Sequence, residues 1–454
     1  MRKVRPNSFG ICGGAFGDEG KGRIVDNLVN DLCKKGEVVV YRDNGGANAG
    51  HTVVFPTGEK IALHQLPSGV FIKGASVVLG KEMVVHPGDL LAELEQVSAT
   101  TATSDRAQIK IDEQVVLSLD THRAYEAVLK SWHSGGKAST GRGISPAYAD
   151  VLLRHPLRMR DIVAGDTEKM KLHYDMYAAL IAGLGQTLAE VQVPTLSGER
   201  VAVGSRTKFI NRLQAQVAKL RPYVFDVRQW LADKWHNEKC AFVFEKAQAV
   251  GLDTRWGVYP DITASDTTFA GIHSATEGLI DPDSLQLKAG VIKATYMSSV
   301  GTRRLPTEMK GKLAERIRED AHEYGATTKR PRDIAYLDLP AIKFFCEAGR
   351  LNSLILTHMD IVYPGVPVKV CTKYVQKKKP VGYHPDQTFL DTVKPEYVEF
   401  KPWDTEKLAA AKTVQQLPAE AKKFLDFVSE YLGLPISMIT TGPRRDQGMR
   451  LGKW

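Results

Sequence analysis

Short β-branched runs recur along this chain with helical patterns between them, and that alternation is its strongest constraint. The runs are Val38-Val39-Val40-Tyr41, Val77-Val78-Leu79, Ile109-Lys110-Ile111, Phe242-Val243-Phe244, Val291-Ile292-Lys293-Ala294 and Leu354-Ile355-Leu356-Thr357. Over 312–324, Leu313, Ile317 and Ala321 share one helical face. Ala421, Leu425, Val428 and Leu432 do the same over 418–432. Strands alternating with helices predict an α/β fold: a large, mainly parallel central sheet flanked by helices. Such sheets bind ligands beyond the carboxyl ends of their strands, so chemistry is expected in the loops that follow the runs. No repeat and no long Ser/Gly linker divides the chain, and we expect one domain over 1–454.

Composition excludes several classes. With 454 residues, 25% charged, 39 Gly and 22 Pro, the chain is neither collagen-like nor disordered. It has no apolar run of membrane-spanning length. The basic start Met1-Arg2-Lys3 lacks the apolar core of a signal peptide. The five cysteines are widely spaced and form no C-x-x-C pair, which fits a reducing cytoplasm better than a disulfide framework or a zinc site. The net charge of +9 suggests an anionic partner. No nucleic-acid recognition motif accompanies it, so neither nucleic acid nor membrane is expected.

Two loop strings stand out. Gly13-Gly14-Ala15-Phe16-Gly17-Asp18-Glu19-Gly20-Lys21-Gly22-Arg23 lies between the apolar Phe9–Cys12 and the helical pattern Ile24–Val29. Glycines let backbone N–H groups reach phosphate oxygens, the helix N-terminus favours negative charge, and Lys21 adds a point charge. It is not a Walker A sequence, because Gly22 stands where Ser or Thr would hold magnesium. A carboxylate in such a cradle can hold a metal ion or take a proton. The second string, Arg42-Asp43-Asn44-Gly45-Gly46-Ala47-Asn48-Ala49-Gly50-His51-Thr52, ends in an imidazole able to donate a proton. Four weaker strings follow: Ser139–Pro146, Phe244-Glu245-Lys246-Ala247-Gln248, Gly325-Ala326-Thr327-Thr328-Lys329-Arg330-Pro331-Arg332, and Thr357-His358-Met359-Asp360. Hydroxyls beside two arginines suit carboxylate or phosphate recognition. An Asp at a strand end can accept two N–H donors from guanine.

Together and in this order, with His64-Gln65-Leu66-Pro67-Ser68-Gly69, Pro306-Thr307-Glu308 and Thr441-Gly442-Pro443, the strings resemble those of the adenylosuccinate synthetase family over about residues 9–445. The resemblance implies a P-loop-NTPase-like nucleotide-binding core and a carbon–nitrogen ligase of purine biosynthesis. It implies that L-aspartate is joined to IMP at the expense of GTP, with Mg2+ as cofactor. In that chemistry a base removes the N1 proton, the 6-oxyanion attacks the γ-phosphate, and the aspartate amine displaces the 6-phosphoryl group.

Carried over motif by motif, the resemblance assigns catalysis to Asp18 as base, His51 as acid and Lys21 as charge neutraliser. It assigns the metal to Asp18 and the carbonyl of Gly50. The purine monophosphate falls to Asp18, Glu19, Gly20, Lys21, Asn48, Ala49, Gly50, His51, Thr140, Arg154, Gln248, Thr263 and Arg330. Aspartate falls to Ala326, Thr327, Thr328, Lys329, Arg330 and Arg332. GTP falls to Gly17 through Arg23, including Gly20 and Gly22, to Gly50, His51 and Thr52, to Arg332, His358, Met359 and Asp360, and to Thr440, Thr441 and Gly442. Arg154 matches an arginine reaching the neighbouring subunit's nucleotide, which implies a homodimer.

The chain also departs from the family's strings. His358 replaces a lysine whose stem packs on guanine, which opens ATP as an alternative donor. Ser298-Ser299 through Arg303-Arg304 replaces a string with an arginine at the position of Ser299, so one arginine is lost and two are gained. Lys329 replaces a glycine, Asp333 a basic or small residue, and Phe16 a tryptophan. These changes leave open ligation on another 6-oxopurine nucleotide such as dGMP.

Overall fold

A computed structural model describes residues 4–55, 57–130, 140–299, 301–325 and 330–452. Every β-branched run of the sequence becomes a strand of one ten-stranded sheet. In chain order its strands are β1 (Arg5–Gly13), β2 (Val38–Arg42), β3 (Ala75–Leu79), β4 (Gln108–Asp112), β5 (Val224–Phe225), β6 (Ala241–Glu245), β7 (Leu285–Lys293), β8 (Ser353–Thr357), β9 (Ile436–Thr440) and β10 (Gly448–Arg450). Across the sheet they run β5-β4-β3-β2-β6-β1-β7-β8-β9-β10. All pair in parallel except β10, which returns antiparallel to β9.

Side chains alternate across a strand, so each run feeds two cores. Val38, Val40, Val77, Leu79, Ile109 and Val243 pack on one face. Val39, Tyr41, Val78, Phe242, Phe244 and Leu356 pack on the other. Burial on both faces is why these strands read as continuous apolar runs.

Helix α1 (Lys21–Cys33) follows β1 and buries Ile24, Val25, Leu28 and Val29. The sequence pattern suggests a start at Ile24, but the helix begins three positions earlier, inside the glycine-rich string. Gly20, at φ 89°, supplies the left-handed turn that starts it. The helix expected over 312–324 stops at Asp320. His322 turns left-handed at φ 53°, and Glu323 points inward, 1% exposed. A smaller sheet of Tyr296–Ser299, Asp333–Asp338, Val368–Gln376, Lys379–Val381 and Lys394–Phe400 begins just beyond the carboxyl end of β7.

Helix Ile144–Leu152 is held through Asp150, which accepts from His122 Nε2 at 2.9 Å and Tyr177 Oη at 2.8 Å. His122 Nδ1 accepts the Leu119 N–H at 2.8 Å, so the ring proton sits on Nε2 facing Asp150. With His173 these ligand atoms lie within 4.8 Å of one another, yet that tautomer leaves no lone pair on Nε2 for a metal. The cluster is a hydrogen-bonded anchor. No described helix is long and apolar enough to cross a membrane.

Candidate functional site

The loops after β1, β2, β6, β7, β8 and β9 open at the carboxyl edge of the sheet, where the strand order has already jumped between halves. The loop after β1 is organised from within by Glu19. Its buried carboxylate accepts from Gly17 N at 2.7 Å, Ala15 N at 3.3 Å and Lys21 Nζ at 2.8 Å. Asp18 is thereby turned outward on a left-handed backbone (φ 58°), with 34% of its side chain exposed. Gly22 packs so closely on His51 that a Cβ there would lie 2.9 Å from the His51 Cβ. This joins the first string to the second.

His51 begins the short strand His51–Val54 and is buried. Its Nδ1 lies 2.6 Å from Glu245 Oε1, an ion-pair distance not aligned as a hydrogen bond. Burial pulls the imidazole pKa below its ordinary value, and Glu245 restores part of it. Burial pushes Glu245 up, but His51 and Ser68 more than offset this, so it ends below the usual carboxylate value. The Ser68 N–H and hydroxyl both donate to Glu245. Beside it, Lys246 and Asp43 form a fully buried pair at the ends of β6 and β2.

Asn48 reaches Thr263 Oγ1 at 3.5 Å and accepts from Gly46 N at 3.1 Å. Gln248, also left-handed at φ 57°, lies over Gly45, and both polar atoms of its amide are buried without a partner. Across the crevice, Thr357 Oγ1 donates to the Glu19 carbonyl at 2.8 Å. Arg23 Nη1 donates to the carbonyl of Gly442, while its Nε and Nη2 are orphaned. Burial lowers the Arg23 pKa to about 10, with Asp360 acting in the opposite direction. Burial raises the half-buried Asp360, and Arg23 pulls it back. Met359 is a core residue whose carbonyl accepts from Trp403 Nε1, and Thr440 Oγ1 accepts from His358 N at 3.3 Å.

A charged chain links this part to Asp18. Lys293, at the end of β7, pairs with Glu323. Glu323 accepts from Arg332 Nη1 at 2.8 Å and from Tyr296 Oη at 2.5 Å. Arg332 Nη2 then pairs with Asp18 Oδ2. Burial opposes charge on Glu323, but Lys293 and Arg332 hold it well below the usual carboxylate range. Tyr296 Oη also meets His358 Nδ1 at 3.2 Å. Burial, with Lys293 nearby, lowers the His358 pKa to about 4, so this imidazole is neutral at physiological pH.

Sequence reasoning missed Lys293, Tyr296 and Glu323 as members of the site, and gave Glu245 no role. Lys293 had a signal, a charged residue closing an apolar run. Glu323 had none, because the helical pattern of the sequence runs through it to Tyr324. Of the residues picked from sequence, Thr140, Arg154 and Arg330 are exposed. Thr52 is exposed on the outer side of its strand. Ala326, Thr327, Thr328 and Lys329 lie outside the described residues, as do Ser139 and Val300.

The expected magnesium ligands are oxygens, the Asp18 carboxylate and the Gly50 carbonyl, the hard donors that Mg2+ takes alongside phosphates and water. Asp18 is 34% exposed and meets Arg332 through Oδ2, which leaves Oδ1 for an ion, so the donor set fits.

The adenylosuccinate synthetase family model matches residues 10–449. The adenylosuccinate synthetase of Clostridium novyi is 32% identical over 452 residues, covering 98% of this chain and 100% of that one. The chloroplastic enzyme of Chlamydomonas reinhardtii is 32% identical over 445 residues, covering 96% and 90%. Among solved structures, the fully ligated adenylosuccinate synthetase of Plasmodium falciparum superposes with a TM-score of 0.83 at 30% identity, covering 98% of this chain and 100% of that one. The cyanophage S-2L succinoaminodeoxyadenylate synthetase, bound to dGMP and to dATP as an energy donor, shares the fold at TM-score 0.60 and 16% identity, covering 99% and 97%. With the strings, the sheet and the match along nearly its whole length in agreement, this chain belongs to the adenylosuccinate synthetase family, a family of purine-biosynthetic ligases.

Proposed function

We propose that this protein ligates L-aspartate to C6 of IMP, using GTP and Mg2+ and releasing GDP and phosphate. The observation that carries the reading is a set of orphaned buried polar groups. His51 Nε2, the Gln248 amide, and donors of Arg23 and Arg332 are all buried without hydrogen-bond partners. Each such group costs about 1–3 kcal/mol unsatisfied, so their gathering around the loop after β1 argues for polar ligands there.

In this reading Asp18, half-buried on its left-handed turn, takes the N1 proton of IMP. The resulting 6-oxyanion attacks the γ-phosphorus of GTP. His51 then faces the transferring phosphoryl group with Nε2, while Glu245 against Nδ1 supplies the counter-charge that favours imidazolium once an anion arrives. Lys21, the loop N–H groups and the N-terminus of α1 neutralise the phosphates. Asp18 and the Gly50 carbonyl would hold Mg2+, which would supply charge neutralisation at the phosphates. The amine of aspartate, bound by Arg330 and its neighbours, displaces the 6-phosphoryl group. Asp360 reads guanine, and His358 lies alongside it.

We read the protein as a homodimer. Leu152 and Leu153, 83% and 66% exposed, immediately precede Arg154 and present an apolar surface for a second copy. Five free thiols fit a cytoplasmic setting.

A second reading, the same ligation on another 6-oxopurine nucleotide such as dGMP, rests on one observation. Ser299 stands at the position of an expected arginine, and neither gained arginine replaces it. Arg303 is buried, and Arg304 turns away to pair with Asp391. The test is turnover of purified protein with IMP, GMP and dGMP, each with GTP or ATP and with aspartate. IMP with GTP is expected to be the best pair. Asp18→Ala should abolish turnover, since a general base contributes roughly 10²–10⁴-fold. Retention of more than about one tenth of the wild-type rate would refute the assignment.

A further inference from the structure

Two departures from the family's strings, Phe16 and Arg303, lie far apart in the sequence and meet in the fold. The Arg303 guanidinium carbon sits 4.4 Å from the centre of the Phe16 ring. Arg303 is 3% exposed. Its Nη1 donates to Ser299 Oγ at 2.7 Å, and its Nη2 donates to the carbonyl of Asp261. Ser299 is itself a departure, so three substituted positions make one buried contact.

The turn that carries Arg303 is fixed independently. Gly301 is left-handed at φ 99°, and a Cβ there would fall 2.2 Å from Asp261 Oδ1. Thr302 donates its N–H at 3.0 Å and its hydroxyl at 2.9 Å to the Asp261 carboxylate. On the other side, Phe16 is wedged edge-on against Phe345, with centroids 5.3 Å apart. Its neighbour Ala15 accepts from Gly251 N at 2.9 Å. Gly17 and Asp18 follow directly.

We propose that Arg303 is a positioning residue for Asp18. Its planar fork holds the 299 strand end and the Asp261 loop, while its face clamps the Phe16 ring and so sets where the next two residues stand. The proposal rests on the reading of Asp18 as the base. Arg303 does not meet the substrate itself, because two of its nitrogens are committed to Ser299 and Asp261 and the side chain is buried. A guanidinium suits this task better than an ammonium, since only the former can stack and fork at once.

The test compares Arg303→Met, Arg303→Lys, Phe16→Leu and the double variant Arg303→Met/Phe16→Leu with wild type. Readouts are kcat at saturation, KM for GTP and melting temperature. Misplacing a reacting group by about an ångström can cost roughly 10²-fold, so kcat should fall about 10- to 100-fold in Arg303→Met. KM for GTP should change much less than kcat, because Arg23, Asp360 and Gly442, also assigned to the donor, lie outside the turn that Phe16 carries. Arg303→Lys should fall between Arg303→Met and wild type. Arg303→Met and Phe16→Leu should be non-additive in kcat, because each removes the same contact. The proposal is overturned if folded Arg303→Met keeps kcat within about threefold of wild type, or if the two single effects multiply. If Arg303→Met does not fold, Arg303→Lys and Phe16→Leu decide: lowered kcat in both supports the role, and unchanged kcat in both overturns it. Wild-type protein without ligase activity overturns the reading of Asp18 and this role with it. Active wild type with unaffected variants overturns the positioning role alone.

Discussion

Replacing Glu245 by Gln tests whether His51 is tuned by its neighbour or merely placed by it. The substitution keeps the shape and removes the charge that lies 2.6 Å from His51 Nδ1. Attraction to an opposite charge at this range, which moves a pKa by about one to two units, is worth about 1.5–3 kcal/mol. That corresponds to about one to two pH units on His51 and about 10- to 150-fold on a rate that needs the imidazolium. The direction is fixed by the site: Glu245 raises the His51 pKa, so its loss lowers it further. A rate that requires protonated His51 declines as pH rises through that pKa, so the declining limb of kcat should move to lower pH. His Cε1–H NMR, assigned with His51→Gln, reads the same pKa without turnover. Stability supplies the control. Glu245 lies below its ordinary value of 4.5, so it contributes stability above that pH that is lost on acidification, and the Gln variant should lose this dependence. The Gln carbonyl can still accept from Ser68, which keeps the fold intact at neutral pH. A His51 pKa unchanged in Glu245→Gln, or kcat within about threefold of wild type with an unmoved limb, would refute the reasoning.

Other consequences follow from the same geometry. Lys246→Met should cost about 3–5 kcal/mol in urea unfolding at neutral pH, because it strands the buried Asp43 carboxylate. Burial already raises Asp43, so the variant binds more protons folded than unfolded, its deficit should shrink toward acid, and Asp43→Asn in the same chain should recover part of it; a deficit below about 1 kcal/mol would contradict the buried pair. Asp360→Asn should reduce the ratio of kcat/KM for GTP over ATP, because guanine offers two donors to the carboxylate and adenine does not; an unchanged ratio removes Asp360 as the guanine reader. Mixing Arg154→Leu with Asp18→Ala protein should restore some activity through hybrid dimers, and an inactive mixture with subunit exchange demonstrated would count against a shared site.

The architecture was legible in the sequence because strand and loop chemistry are local. A fully buried parallel strand must be apolar on both faces, so Val38–Tyr41 and Leu354–Thr357 announced themselves. A loop that approaches phosphates needs glycines and a cation at fixed spacing, so Gly17–Arg23 stood out as a candidate phosphate loop without reference to the rest of the chain. The sequence also indicated that Asp18, His51 and Asp360 belong to separate loops after separate strands. Only the tertiary structure decided which residues govern them. Glu323 lies beyond a helical pattern that runs straight through it, and only the left-handed turn at His322 brings its carboxylate inward to join Lys293, Tyr296 and Arg332. Glu245 and His51 come from different strands, and their contact depends on strand order, which no local pattern encodes. The pairing of Arg303 with Phe16 is of the same kind: each substitution is unremarkable where it stands, and its meaning comes from the partner that folding brings within van der Waals reach.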